Sequence, residues 1–367
     1  MARVAVFHNT LDFQGGADAV CLHACAALAE DHDVTLFTAS KTDPVTLADR
    51  FDISLEADVV QPPGATALAA GFEALGPFVG PQLAARTTLL RLLCRRRLDS
   101  FDAVVSTANE LSIPGPSVQY VHFPQFRLTR TEAAETSALN RVWTRLAGPE
   151  APADRRTRLV ANSAWTADVV ERLYGIRPTV CHPPVDRIDG RPWTEREHGV
   201  LVLGRIAPDK RTLEAVEVLD RLRERGYDLT GRIVGAAPPA YREYVGRVRR
   251  AAAERPYLGV ETDVSRERIT DLLGRYRYGL NAKPREHFGM AVAEYVAAGM
   301  LPFAPADGGQ VDVLDGDRRL LFDDLDGAVD RVASAVETDL RPFLPRDRFG
   351  SERFAAAMRE HVAAILK

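Results

Sequence analysis

The chain has 367 residues, 46% of them hydrophobic and 27% charged, with a formal net charge of −4. That length exceeds one ordinary core and argues for two domains, while the composition excludes a disordered chain. The slightly acidic balance argues against a nucleic-acid binder, and no uninterrupted apolar run is long enough to cross a membrane.

Strand-like residues 4–8 follow Arg3 at once and give way to polar residues, so no secretory leader is expected and the compartment reads as cytoplasmic and reducing. Gln14-Gly15-Gly16 then precedes a helix over 16–30. It is not GxGxxG, so a dinucleotide fingerprint is absent. It reads either as a tight turn or as a loop whose N–H groups approach a phosphate. Cys21 and Cys25 share a face of that helix and, with Cys94 and Cys181, lack CxxC spacing, which suits buried free thiols. A strand over 34–38 follows. Residues 64–81 form an apolar segment broken by Gly and Pro. The next helix, 82–97, has a leucine face and an arginine cluster: a core helix with a solvated basic face, or a patch that meets anionic lipid at a membrane surface.

Strands at 103–106, 118–121 and 159–161 and a helix at 164–174 complete the first half. His122 stands at a strand end, where a structural histidine and a catalytic one are both readable. Asn162-Ser163 reads as a helix cap. The pair Pro183-Pro184 can continue neither element type and suits a linker. Beyond it come a strand at 200–204, a helix at 212–225, a strand at 229–234, helices at 241–253 and 266–274, and a strand at 278–281. A helix at 290–298, a strand at 301–304 and a helical tail end the chain. Alternation on both sides of a linker predicts two doubly wound parallel-sheet domains, with ligands at the carboxyl ends of strands and a cleft between the halves. The expected boundaries are 1–183, 184–345, and a last helix over 346–367 returning to the first domain.

The densest chemistry lies between Asn281 and Gly299. Glu286 and Glu294 flank Phe288-Gly289 and a run of helix formers. A helix starting at Met290 exposes its first N–H groups as an anion site, with a carboxylate on either side. A nucleotide-sugar has the matching layout of a diphosphate between two sets of hydroxyls. Upstream, Arg205 and Lys210 follow a strand and open a helix, as a diphosphate site requires, although a solvated basic loop is the plainer alternative. Only four of the 47 basic residues are lysine, and Lys210 and Lys283 fall in these two segments. Gly308-Gly309 is open to the same two readings as the first glycine pair. The acidic runs near Asp315 and Asp323 read as solvated surface, and no histidine spacing suggests a metal site.

Taken together, these motifs resemble the retaining glycosyltransferases of family 4, which have the GT-B fold. The resemblance runs through the glycine pair, His122, Asn162-Ser163, the Gly204-Arg205 to Lys210 loop and the Glu286-x7-Glu294 motif. Within the family it is nearest to the mannosyltransferases of lipid-linked oligosaccharide assembly. It implies transfer of a hexose from a GDP- or UDP-linked donor to a glycan, lipid-linked or small-molecule acceptor, with retention of configuration and without a metal or other cofactor. It also implies that Arg205 and Lys210 neutralise the diphosphate, Glu294 binds the ribose and Glu286 the sugar. Backbone amides of Phe288, Gly289 and Met290 would assist, Gly16 would close on the phosphates, and His122 would lie beside the sugar. Two departures stand out: Asp18 replaces the family's usual Glu, with an expected effect on acceptor contacts, and Lys283-Pro284 replaces Pro-Ser. Rival classes are a nucleotide-sugar epimerase and a non-catalytic sugar-nucleotide-binding subunit of the same fold; a nicotinamide oxidoreductase lacks its glycine fingerprint.

Overall fold

Short β-branched runs separated by amphipathic helices can pair only in parallel, because each crossover carries the chain back to its starting edge. The computed structural model describes residues 1–79, 82–113, 115–126 and 156–367, with backbone alone for 76–79. Every strand pairing in both sheets of the described residues is parallel. The chain divides into two compact units, Met1–Pro184 with Ser351–Lys367, and Val185–Gly350.

The first unit runs β1 (Arg3–Phe7), α1 (Gly16–Ala29), β2 (Asp33–Phe37), α2 (Pro44–Arg50), β3 (Asp58–Val60), α3 (Ala65–Val79), α4 (Leu83–Leu98), β4 (Ala103–Ser106), β5 (Ser117–Val121), β6 (Thr157–Ala161), α5 (Ala164–Tyr174) and β7 (Thr179–Val180). Its sheet has the order β3-β2-β1-β4-β5-β6-β7. The second unit runs β8 (Glu197–Leu203), α6 (Thr212–Glu224), β9 (Thr230–Gly235), α7 (Arg242–Ala253), β10 (Leu258–Thr262), α8 (Arg266–Arg275), β11 (Tyr276–Leu280), α9 (Met290–Ala297), β12 (Leu301–Pro305), α10 (Gln310–Val313), β13 (Leu321–Phe322) and α11 (Leu325–Glu337). Its sheet is ordered β10-β9-β8-β11-β12-β13. The last helix, α12 (Ser351–Leu366), returns to the first unit. Phe354, Met358, Val362 and Ile365, three and four residues apart, put one buried stripe into the core shared with Val20 and Leu28 of α1.

The doubly wound architecture read from the sequence is therefore present. Several elements were not foreseen. Residues 64–81 read as a broken apolar segment, yet Ala65–Val79 is helical; residues 80 and 81 lie outside the described residues. The edge strand β10, Leu-Gly-Val-Glu-Thr, is half-buried and carries a glycine, so its signal is weak. The helical tail comprises α11 and α12, and the last helix expected over 346–367 is α12.

One aromatic ring locks the centre of the second sheet. The Tyr295 hydroxyl accepts from the Leu203 N–H at 2.7 Å and donates to the Leu280 carbonyl at 3.5 Å, joining the ends of β8 and β11. A Cβ at Gly279 would stand 2.4 Å from that ring, so only glycine admits it.

Candidate functional site

From β8 the chain winds to β9 and β10 on one side, then crosses to β11 on the other. The carboxyl ends of β8 and β11 thus form the switch point at which loops diverge and ligands bind in such sheets. Two loops rise there, 204–211 and 281–289. The first is packed tightly: a Cβ on Gly235 would meet the Gly204 carbonyl oxygen at 1.8 Å. A short turn at Pro208–Lys210 then presents Asp209 and Lys210, and Arg211 follows with φ of +52°.

These loops interlock through charge. Lys210 Nζ donates to Glu286 Oε1, an ion pair across 76 positions of sequence. Lys283 Nζ lies 3.2 Å from Asp209 Oδ2 and 3.9 Å from Glu286 Oε2. Arg205 reaches both oxygens of Asp209 at 3.1 and 3.2 Å, and its guanidinium lies 5.7 Å from the Tyr241 ring centre. Cations and carboxylates alternate along Arg205, Asp209, Lys283, Glu286 and Lys210. Burial pushes the Glu286 carboxyl up, but Lys210 and then Lys283 outweigh it and hold it below the ordinary range. Burial likewise opposes ionisation of Asp209, where Arg205, Lys283 and Lys210 prevail. His287 is lowered to about 4, first by burial and then by the same two lysines, so it is neutral at pH 7.

The Glu286 loop is seated by its neighbour after β12. Glu286 pairs with Gly308 in an isolated parallel bridge, and the Gly309 N–H donates to the Glu286 carbonyl at 2.6 Å. A Cβ on Gly308 would lie 2.6 Å from the Glu286 nitrogen, so this glycine pair makes room for the loop. Gln310, fully buried, donates to the carbonyls of Lys283, Pro305 and Asp307 at 3.0 to 3.1 Å and accepts from Asn281 at 2.6 Å. Gly289 has φ of +103° immediately before α9, and its Cβ would press on Gln310 at 3.0 Å. The Phe288 ring turns inward against Phe349 at 5.3 Å between ring centres, so it can offer a ligand its backbone but not its ring. Met290 opens α9, an eight-residue helix whose first N–H groups have no acceptor within the helix. Glu294, one turn along, accepts from Arg266 at the start of α8.

Arg205, Lys210, Glu286, Phe288, Gly289, Met290 and Glu294 therefore gather on one unit, Glu294 in its own ion pair. Gly16 and His122 belong to the other unit, at the carboxyl ends of β1 and β5. Asn109, at φ of +69°, accepts the N–H groups of His122 and Phe123 at 2.7 and 3.1 Å. His122 Nε2 lies 3.2 Å from the Thr107 carbonyl, and Asn162 donates to the His122 carbonyl at 3.0 Å. Ser163 accepts from the Thr166 N–H at 3.1 Å, the helix cap read from the sequence. Glu110 accepts from the N–H groups of Gln125 and Phe126 and from the Tyr174 hydroxyl, each at 2.8 Å. Asp18 departs from expectation. It is 1% exposed, pairs with His8 at 3.0 Å and accepts the Gly15 N–H at 3.1 Å, so any influence on an acceptor is indirect.

Asp209, Arg266, Gln310, Asn109 and Glu110 were not singled out by sequence reasoning. Asp209 sits between Arg205 and Lys210, and Gln310 directly follows the second glycine pair, which were the available signals. The acidic runs are engaged by caps and ion pairs: Asp324 caps α11 through the Gly327 N–H at 2.7 Å, Asp317 binds Arg319, Asp315 pairs with Arg348 and Asp326 with Arg221. Among the described residues no three His, Cys, Asp or Glu side chains gather to hold a metal ion, and no helix is long and apolar enough to cross a membrane.

No family model matches the chain. Among curated proteins it is similar to the GDP-Man:Man(3)GlcNAc(2)-PP-Dol alpha-1,2-mannosyltransferase of Dictyostelium discoideum, 26% identical over 168 residues, which is 40% of this chain and 33% of the relative. The enzyme of the same description from Eremothecium gossypii is 24% identical over 181 residues, 44% of this chain and 31% of the relative. The chain thus spans about a third of the length of the curated relatives it matches. Among solved structures, Anabaena HepE in complex with UDP-glucose superposes with a TM-score of 0.68 at 16% identity, covering 99% of this chain and 100% of that one. A glycosyltransferase from Rickettsia africae gives 0.62 at 16% identity, covering 100% and 94%. The chain has the GT-B fold of these glycosyltransferases.

Proposed function

We propose that the protein is a glycosyltransferase that moves a hexose from a GDP- or UDP-linked donor to an acceptor. The observation that carries this is the Lys210–Glu286 ion pair at the switch point, beside the opening turn of α9. Lys210 and Arg205 are assigned the diphosphate, Glu294 the ribose hydroxyls, and Glu286 the transferred sugar, with the amides of Phe288, Gly289 and Met290 assisting. Breaking the bond between sugar and diphosphate develops negative charge on the leaving oxygens. Preorganised cations there stabilise the transition state without a proton transfer or a metal. Retention of configuration, membership of family 4 and independence of metal are inherited from the resemblance. So are the roles of Gly16 toward the phosphates and His122 toward the sugar.

The donor choice is supported from two sides: the curated relatives are named for GDP-Man, and the Anabaena neighbour was solved with UDP-glucose. A glycan or lipid-linked acceptor is supported by the names of the relatives, while work in the cytoplasm at a membrane face is inherited from the resemblance. The exposed Leu92 and Leu93 beside Arg95, Arg96 and Arg97 on α4 are the surface that would meet anionic lipid. The test is a thermal-shift screen of GDP-mannose, UDP-glucose and the free diphosphates, followed by transfer to candidate acceptors. Absence of stabilisation by any nucleotide would sink the reading. Turnover of donor alone to an isomeric nucleotide-sugar would replace it with an epimerase, and binding without transfer would leave a non-catalytic subunit.

A further inference from the structure

We propose that Lys283 is a positioning residue for Glu286, keeping that carboxylate ionised and aimed at the sugar once the diphosphate has drawn Lys210 away. The proposal rests on the donor-site reading above and adds to it a residue outside the motif that carries the resemblance.

In the structure Glu286 is held from two sides, by Lys210 on Oε1 and by Lys283 at 3.9 Å from Oε2. A bound diphosphate competes for Lys210 and for Arg205, the two cations assigned to it. Asp209 and Glu286 then lose a counter-ion each, while two further negative charges arrive. Lys283 lies within reach of both carboxylates, at 3.2 Å from Asp209. The other two basic residues beside Glu286 in the chain do not substitute. His287 is neutral at pH 7, and Arg285 is turned to Asp307 at 3.3 Å. The backbone presets the reach of Lys283: its carbonyl accepts from Gln310 at 3.1 Å and from Asn281 at 3.5 Å, and Pro284 follows with a restricted φ. An ammonium fixed in this way stays with the carboxylates when the phosphate ligands move.

A lysine acting through Glu286 must matter for the sugar and not for the phosphates. Titration calorimetry on the full chain with UDP, UDP-glucose, GDP and GDP-mannose separates the two. For Lys283→Met, the free diphosphate is expected to bind within about threefold of the unaltered protein, while the preference for nucleotide-sugar over free nucleotide falls about tenfold. Lys283→Arg, which restores the charge, should recover most of that preference. Combining Lys283→Met with Glu286→Gln should cost no more than Glu286→Gln alone, since the two act as a unit. The acid limb of kcat/KM should also move to higher pH in Lys283→Met, because the carboxylate has lost a cation. Equal weakening of free nucleotide and nucleotide-sugar would overturn the proposal and make Lys283 a phosphate ligand. No change in either would overturn it as well. Lys210→Met in the same titrations tests the parent reading: if it leaves the free diphosphate affinity untouched, the donor site itself is misassigned and the Lys283 role falls with it.

Discussion

The carboxyl ends of the two sheets share a topology and differ in chemistry. In the second unit the switch point is crossed by half-buried ions: Arg205, Asp209, Lys283, Glu286 and Lys210. In the first unit the corresponding place is filled mainly by buried amides and hydroxyls, beside the one buried pair of His8 and Asp18. Asn9 donates to Thr87 at 3.0 Å, Thr87 to Gln125 at 3.3 Å, and Gln125 to the carbonyls of Ala108 and Glu110 at 2.9 and 3.1 Å. Glu110, buried among these groups, is raised to about 7 by desolvation, against the opposing hydrogen bonds from Phe126, Tyr174 and Gln125. Partly buried ion pairs can change partners when a ligand brings compensating charge, whereas buried neutral networks hold one geometry because each unmade bond is expensive. One end is suited to trading its counter-ions for those of a ligand, and the other to shaping a surface.

The contrast can be broken at several points. Lys210→Ala should leave the fold intact and lower turnover by the equivalent of about 3–4 kcal/mol, as loss of a transition-state donor does; steady-state kinetics beside a circular-dichroism melt would show it, and near-normal transfer would refute the role. Gly308→Ala forces a Cβ against the Glu286 backbone from a φ of +94°, and a destabilisation of about 1–3 kcal/mol is expected in denaturant titrations. Unchanged stability would mean the loop is not seated as described.

Glu110→Gln probes the neutral side. A carboxyl whose folded value is raised binds more protons folded than unfolded between about pH 4.5 and 7, so stability falls as pH rises through that window. The substitution removes this loss, and the difference in unfolding free energy between pH 5 and pH 8 should shrink by about 1–3 kcal/mol. A pH dependence identical to the parent's would rule out Glu110 as its source. Arg266→Ala is the mildest. If Glu294 serves the ribose, freeing it from Arg266 should tighten nucleotide binding by no more than about fivefold, the worth of an exposed pair; weaker binding would make Arg266 a ligand instead.

Much of this was legible beforehand, for identifiable reasons. The helix α9 and the two glutamates were readable because Gly289, the run of helix formers and the spacing all lie within one short segment. Helix α5 and strand β4 fell where periodicity placed them. The partners of the site residues were not readable. Asp209 and Lys283 meet across 74 positions, Gln310 and Asn281 across 29, and Arg266 and Glu294 across 28, and single-sequence patterns carry no information about such pairings. Asp18 misled because a residue type at a matching position says nothing about which way its side chain turns, and here His8 draws it inside. Helix α3 was obscured by Gly71, Gly76 and Pro77, which break helices in isolation but not here.

The return of α12 to α1 has a consequence for assembly. Residues 351–366 supply Phe354, Met358, Val362 and Ile365 to a core whose other members lie more than 160 positions earlier in the chain. During synthesis the middle unit, 185–350, can complete its hydrophobic interior while the one begun before it still lacks a wall. Deleting the final helix should therefore leave the ion-rich half folded and expose the interior of the half made first.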